Sequence, residues 1–302
     1  MLTIQNAAPT SGLTTEGSKP AIAAVDVLFH PTSRSSAGNC PLHPPSEAEM
    51  DAAGIACALV SQCRKWSCER QWMCEETRLD DVLCYTRSSS RFIGLAGYNP
   101  FDIADSLREI EFAVATRGFR GVYLHVPSFN LSLRDRRVYP MFAKAAELGV
   151  PAMMQLPPVP SLAQEIEGVA ADFAELALVV AQSRPELKDL TAIAERCENV
   201  CFALDSVALL HVIHQWTELA VSASESKSAP DFMSEIFAQR CMWGSNGRDW
   251  PAAVRVADPF PLLSDARANF YHRNAERVFS LTQPLVSRAP HSVSTEILIA
   301  ER

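Results

Sequence analysis

The sequence predicts an α/β fold, a single (β/α)8 TIM barrel, on three observations. Short apolar runs alternate with stretches whose apolar residues recur at helical spacing, and eight such runs begin near Ala21, Ile55, Phe92, Gly121, Val150, Leu176, Val200 and Arg240. Caps and turn residues stand between the runs and the helical stretches. A parallel strand pair needs a long crossover, whose helix then covers the sheet, so this alternation calls for a parallel barrel. Chemistry in such barrels sits at the carboxyl ends of the strands.

In chain order, strand Ala21 to Phe29 ends in His30-Pro31 and opens a long loop. Ser46 and Glu49 have the spacing of a capping box, and strand Ile55 to Ser61 follows. Trp66 to Tyr85 reads as helical, and Phe92 to Ala96 as a strand closed by Asn99-Pro100. Asp102 suits an N-cap. Leu107, Ile110 and Val114 share one helical face, and Gly118 ends it. Strand Gly121 to Val126 is followed by the stripe Val138, Phe142, Ala145 and Ala146, ended by Gly149, and then by strand Val150 to Leu156. A Pro-rich loop leads to helix Leu162 to Phe173 and strand Leu176 to Gln182. After Arg184-Pro185 come a helix to Cys197, strand Val200 to Asp205 and helix Leu209 to Leu219. The last strand, Arg240 to Gly244, runs into the loop SNGRDWP, and a final helix covers Leu262 to Leu281. Residues 1–20 read as a flexible arm, 21–282 as the barrel and 283–302 as a tail.

A chain of 302 residues with 48% apolar residues can bury one large core, and its net charge of −8 argues against nucleic acid and anionic membrane as partners. No apolar run is long enough to span a bilayer, and the first residues lack the basic and apolar regions of a secretory signal. The nine cysteines form no C-x-x-C pair, which favours reduced thiols and a cytoplasmic protein. A small molecule is the expected partner.

Several residues at strand ends could carry chemistry. His30 has the side chain of a general base or oxyanion donor, and Asp26 could orient it or take a proton. Tyr98, His125 and Gln155 also end strands. Tyr123 and His125, two apart, share a strand face and should line one pocket. Arg184 and Arg248 follow strands six and eight, where a guanidinium could clamp a carboxylate, and Asp205-Ser206 could wall the pocket. His211 and His214 lie three apart on a helix without a third ligand, which reads as an ordinary helix face.

The segments RFIGLAGYNPFD, GFRGVYLH, YPMFAKAAELGVP, ADFAELALVVAQ, ENVCFALDS, MWGSN and NAERVF, in this order, resemble the amidohydrolase-2 branch of the amidohydrolase superfamily, over about residues 22 to 282. The resemblance implies a divalent metal held by a His-x-His after strand one, histidines after strands five and six, and an Asp after strand eight. This sequence departs from that pattern. Leu28 stands where the first histidine belongs and only His30 remains, while Gln155, Gln182 and Asn246 replace the other ligands. Amides are weak ligands for zinc, so no catalytic metal and no cofactor are expected. Gln155, Gln182 and Ser245 then become substrate-binding candidates and Asn246 a catalytic hydrogen-bond donor. The family's barrel with these ligands replaced reads as a metal-independent enzyme acting on a small, carboxylated ring or lactone by hydrolysis or elimination, and the resemblance implies a homodimer, as members of the branch often form. A metal-free lyase, isomerase or cyclase, and a non-catalytic homologue binding a ligand or partner subunit, are the alternatives.

Overall fold

The structure is a computed structural model, and it describes residues 24–30, 44–64, 76–157, 162–182, 184–222, 235–236, 238–247, 249–257 and 264–281. The expected arm and tail, the loop after His30 and Arg248 lie outside these residues.

The strands are β1 (Ala24–Phe29), β2 (Ile55–Ser61), β3 (Phe92–Gly97), β4 (Val122–His125), β5 (Ala152–Leu156), β6 (Leu178–Gln182), β7 (Val200–Leu204) and β8 (Cys241–Trp243). They pair in sequence order and all in parallel, as a (β/α)8 barrel requires. Between them run α1 (Glu47–Ala53), α2 (Leu79–Ser88), α3 (Ile103–Arg117), α4 (Tyr139–Leu148), α5 (Leu162–Asp172), α6 (Leu187–Arg196) and α7 (Ser206–Ser222). After β8 come α8 (Trp250–Ala257), α9 (Ser264–Ala268), a π turn (Asn269–Arg273) and α10 (Asn274–Phe279). Among the described residues no helix is long and apolar enough to cross a membrane.

Local chemistry explains most boundaries. Ser46 and Glu49 exchange the two hydrogen bonds of a capping box at the start of α1. Gly118 and Gly149 end α3 and α4 in the left-handed conformation, at φ 77 and 66. Asp102 stands at the N-cap of α3, but its carboxylate reaches Arg64 at 3.4 Å instead of capping. Helix α7 begins three residues earlier than its apolar stripe, because the Asp205 carboxylate accepts from Ala208 N at 2.7 Å. Helix α8 starts where the loop SNGRDWP is expected to run on, because a proline in a first helical turn, here Pro251, forfeits no helical hydrogen bond. The final helix is interrupted by the π turn, which the apolar spacing does not reveal.

Strand alternation divides the apolar residues into two clusters. Val25, Val27, Leu59, Leu95, Tyr123, Met153, Val179, Cys201 and Met242 meet one another across the barrel, with Ala275 and Phe279 of α10 closing one end. The intervening positions, among them Val122, Leu124, Met154, Val180 and Phe202, pack outward against the helices. Cysteines 57, 84, 197, 201 and 241 are free thiols. Cys63 corrects the expectation of uniformly reduced cysteines, because it is disulfide-bonded. Proximity in the fold, not a C-x-x-C spacing, decides which thiols pair.

β1 and β8 meet at a seam joined by one side chain. The Asp26 carboxylate, fully buried, accepts from Leu28 N at 3.0 Å, from Ser245 N at 2.8 Å and from the Trp250 indole Nε1 at 2.8 Å. It thereby ties β1, the turn after β8 and α8 together. Burial pushes its pKa up, against the pull of these donors. Asp26→Ala would leave three buried N–H groups without an acceptor. A loss of about 3–5 kcal/mol in urea unfolding is expected. A loss under about 1 kcal/mol would contradict this role for the seam.

Candidate active site at the strand ends

The carboxyl ends of β1, β4, β5, β6, β7 and β8 bring Leu28, His30, Tyr123, Gln155, Gln182, Asp205 and Asn246 to one end of the barrel. A register shift in β1 between Asp26 and Phe29 breaks strand alternation. Val27 and Leu28 therefore both join the barrel interior, while Asp26 turns outward to the seam. The shift also presents His30, whose ring stands 5.8 Å from that of Tyr123.

A directed chain of hydrogen bonds crosses the mouth. Tyr123 donates to Gln155 Oε1 at 2.8 Å, Gln155 Nε2 to Asn246 Oδ1 at 3.5 Å, and Asn246 Nδ2 to Asp205 Oδ2 at 2.6 Å. Its direction follows from its end, where a carboxylate oxygen accepts. Asn246 must then donate to Asp205 and turn its carbonyl to Gln155, and Gln155 must turn its own carbonyl to the phenol. Burial pushes the Tyr123 pKa up, which keeps that phenol a donor. Asn246 holds its place with φ at 53, a left-handed conformation that asparagine tolerates better than most residues.

His30 faces these amides. Burial lowers its pKa to about 4, although Gln155 and Asn246 favour the protonated form. The imidazole is therefore neutral at pH 7, and its buried Nδ1 has no hydrogen-bond partner among the described residues. It can accept a proton, but only as a weak base.

The other expected site residues are placed elsewhere. Asp26 serves the seam and holds His30 only through the backbone of β1. Ser245 is fully buried and its backbone N–H is committed to Asp26. His125 is buried at the end of β4, in register with Gln155, and its Nδ1 lies 2.7 Å from Ser128 Oγ. Tyr98 donates to the Arg137 carbonyl at 2.6 Å, a structural tie. Gln182 donates to the Pro157 carbonyl at 3.1 Å and forms part of two walls, one in the mouth and one in a cavity of about 380 Å3 between α5 and α6. Arg184 lines that cavity beside Glu186, Asp189 and His211, over an apolar floor that includes Ile166, Val180 and Phe202. Asp205, weighed in the sequence only as a wall, anchors the chain through Asn246; its position just before a helix start was the available signal.

The mouth itself is tight. Leu28, Gln155, Gln182, Ala181, Ala203, Asp205 and Asn246 enclose no space for a water molecule. A Cβ on Gly244 would lie 2.5 Å from the Leu28 Cβ, so the glycine is what lets the leucine fill this spot. The donor set does not suit a transition metal: one imidazole, amides that satisfy one another, and a carboxylate committed to Asn246 and Ala208. Among the described residues no three His, Cys, Asp or Glu side chains converge on one point.

The Amidohydro_2 family model, described as amidohydrolase, matches residues 71–281. The chain belongs to this amidohydrolase family. Among solved structures, this chain resembles the dihydroxybenzoic acid decarboxylase from Polaromonas sp. JS666 with bound manganese and 2-nitroresorcinol, at 13% identity and TM-score 0.55, over 87% of this chain and 98% of that one. It resembles 2,6-dihydroxybenzoate decarboxylase from Rhizobium at 14% identity and TM-score 0.53, over 87% and 100% of the two chains. It also resembles a probable 2-pyrone-4,6-dicarboxylic acid hydrolase from Acinetobacter baumannii with citric acid bound, at 11% identity and TM-score 0.55, over 86% and 100%. At these identities the likeness concerns the fold. No curated protein sequence matches the chain significantly.

Two outcomes test the mouth as described. Gly244→Ala should cost about 1–3 kcal/mol, and a Leu28→Gly change, which removes the Cβ that the new methyl would strike, should recover part of it; strict additivity in the double-mutant cycle would contradict the contact. The second concerns pH. His30 has a folded pKa of about 4, below the unfolded 6.5, so between these values the unfolded chain binds more protons. Stability should therefore fall as pH drops from 6.5 to 4, by at most about 3 kcal/mol from this group, and be unaffected by it above 6.5. His30→Gln should remove that part of the slope in urea titrations; an unchanged slope would show that His30 protonates equally in both states.

Proposed function

We propose that this amidohydrolase-family chain is a metal-independent enzyme acting on a small carboxylated ring or lactone. The observation that carries the reading is the directed chain from Tyr123 to Asp205 facing a neutral His30. Fixed amide dipoles can stabilise an oxyanion without a metal when they are held in place beforehand. In this reading His30 receives the proton from water or from substrate, and the amide N–H groups of Gln155 and Asn246 meet the developing negative charge. A conjugate acid near pH 4 makes a weak base, which suits an activated lactone or an elimination and not an unactivated amide.

The substrate class draws on two supports. The solved structures of similar fold include proteins named for dihydroxybenzoates and a pyrone dicarboxylate. The cavity of about 380 Å3 shares Gln182 with the mouth and carries Arg184 on its wall, so it could seat an apolar ring with its carboxylate on the guanidinium. His125 and Arg248 complete the set of proposed site residues.

A second reading, a non-catalytic homologue that binds a ligand, is favoured by the mouth's lack of room for water. Turnover of a panel of aryl lactones and hydroxybenzoates, assayed in excess chelator, separates the two. The enzyme reading expects turnover that survives chelation, a kcat/KM flat through neutrality with an acid limb near pH 4, and a loss of about 100-fold or more in His30→Gln. Binding without turnover, unchanged by His30→Gln, supports the ligand-binding homologue instead.

A further inference from the structure

At the amino-terminal end of the barrel, opposite the mouth, lies an open depression of about 430 Å3 whose lining includes Arg240, Arg273 and Arg277 with the amides of Gln239, Asn269 and Asn274, and no Asp or Glu. Its assembly follows from spacing. Asn269, Arg273 and Arg277 are each four residues apart and share one face of the helical run through the π turn and α10. Arg240 enters from the residue just before β8.

Two of these guanidinium groups are held by neutral groups. Arg240 donates through one terminal nitrogen to the Cys197 and Val200 carbonyls, at 2.8 and 3.1 Å. Arg277 donates through one terminal nitrogen to the Gln239 carbonyl at 2.6 Å and to Asn274 Oδ1 at 3.4 Å. Arg277 also meets the Cys201 thiol, each group keeps further N–H donors, and among the described residues neither has a carboxylate within ion-pair distance. Arg273 meets Asp265 at 3.7 Å, but both side chains are exposed and such a pair contributes little. A protein of net charge −8 thus gathers three cations at one depression, two of them without an ion-paired carboxylate among the described residues.

We propose that this depression binds a small multiply charged anion, a phosphate compound or a polycarboxylate, separate from the strand-end site. Planar guanidinium groups already fixed by carbonyls lose little side-chain freedom on binding, and they grip phosphate or carboxylate oxygens in pairs. The acidic surface of the rest of the chain disfavours a nucleic acid in this role.

The test uses the full chain, with pyrophosphate and citrate as probes and sodium chloride at matched ionic strength as the control, read by titration calorimetry and by Tm. The expected result is binding of at least one probe, with a raised Tm that the chloride control does not reproduce. Arg273→Glu, a change at an exposed side chain, and Arg277→Gln should each weaken it about tenfold or more, while His30→Gln leaves it unchanged. Preference for pyrophosphate or for citrate would identify the phosphate or the carboxylate form of the ligand. Absence of binding in the wild type beyond the chloride control, or equal binding in both arginine variants, would overturn the proposal.

Discussion

The strand-end site depends on a single buried carboxylate. In a closed barrel the first and last strands must be joined, and among the described residues the ladder runs from β1 to β8 without a β8 to β1 pairing. Asp26 makes the junction instead, taking N–H groups from β1, from the turn after β8 and from α8. Each of those donors belongs to a segment that also supplies or supports the mouth: Leu28 and His30 on one side, Ser245 and Asn246 on the other. A carboxylate is chosen over an amide for a physical reason, because two acceptor oxygens can receive three donors without presenting a competing N–H.

Above that junction, charge has been largely withdrawn from the site. The positions that the family resemblance assigns to metal ligands hold a leucine and three amides, and the amides bond to one another, to Tyr123, to Asp205 and to backbone. Each of Gln155 and Asn246 spends one of its two N–H donors within this network, which explains its order and leaves one donor on each. The network also sets the protonation of His30: with no anion bonded to the ring, burial prevails and the imidazole stays neutral.

How much of this was legible in the sequence follows from the range of each interaction. The strands were readable because buried parallel strands are continuous apolar runs, and β2 begins and ends where the run Ile55 to Ser61 does. The capping box at Ser46 and the left-handed ends at Gly118 and Gly149 were readable because each is local. The inward turn of Leu28 was not, since it follows from a register shift that a run of apolar residues conceals. Neither was the bond from Asn246 to Asp205, which joins residues 41 apart, nor the seam role of Asp26, whose partners Ser245 and Trp250 lie more than 200 residues away. Identities at strand ends told which groups would gather; only the packed barrel showed that the amides would bond to each other.

The central proposal is that the hydrogen-bonding groups ordered between Tyr123 and Asp205, and not a bound metal, serve the site. Elemental analysis of the purified full chain, expressed in medium supplemented with zinc and manganese and dialysed without chelator, tests it most directly. The account predicts far less than one equivalent of divalent metal per chain, with no difference between the wild type and His30→Gln. One equivalent per chain that disappears in His30→Gln would contradict it and return the protein to metal-assisted chemistry.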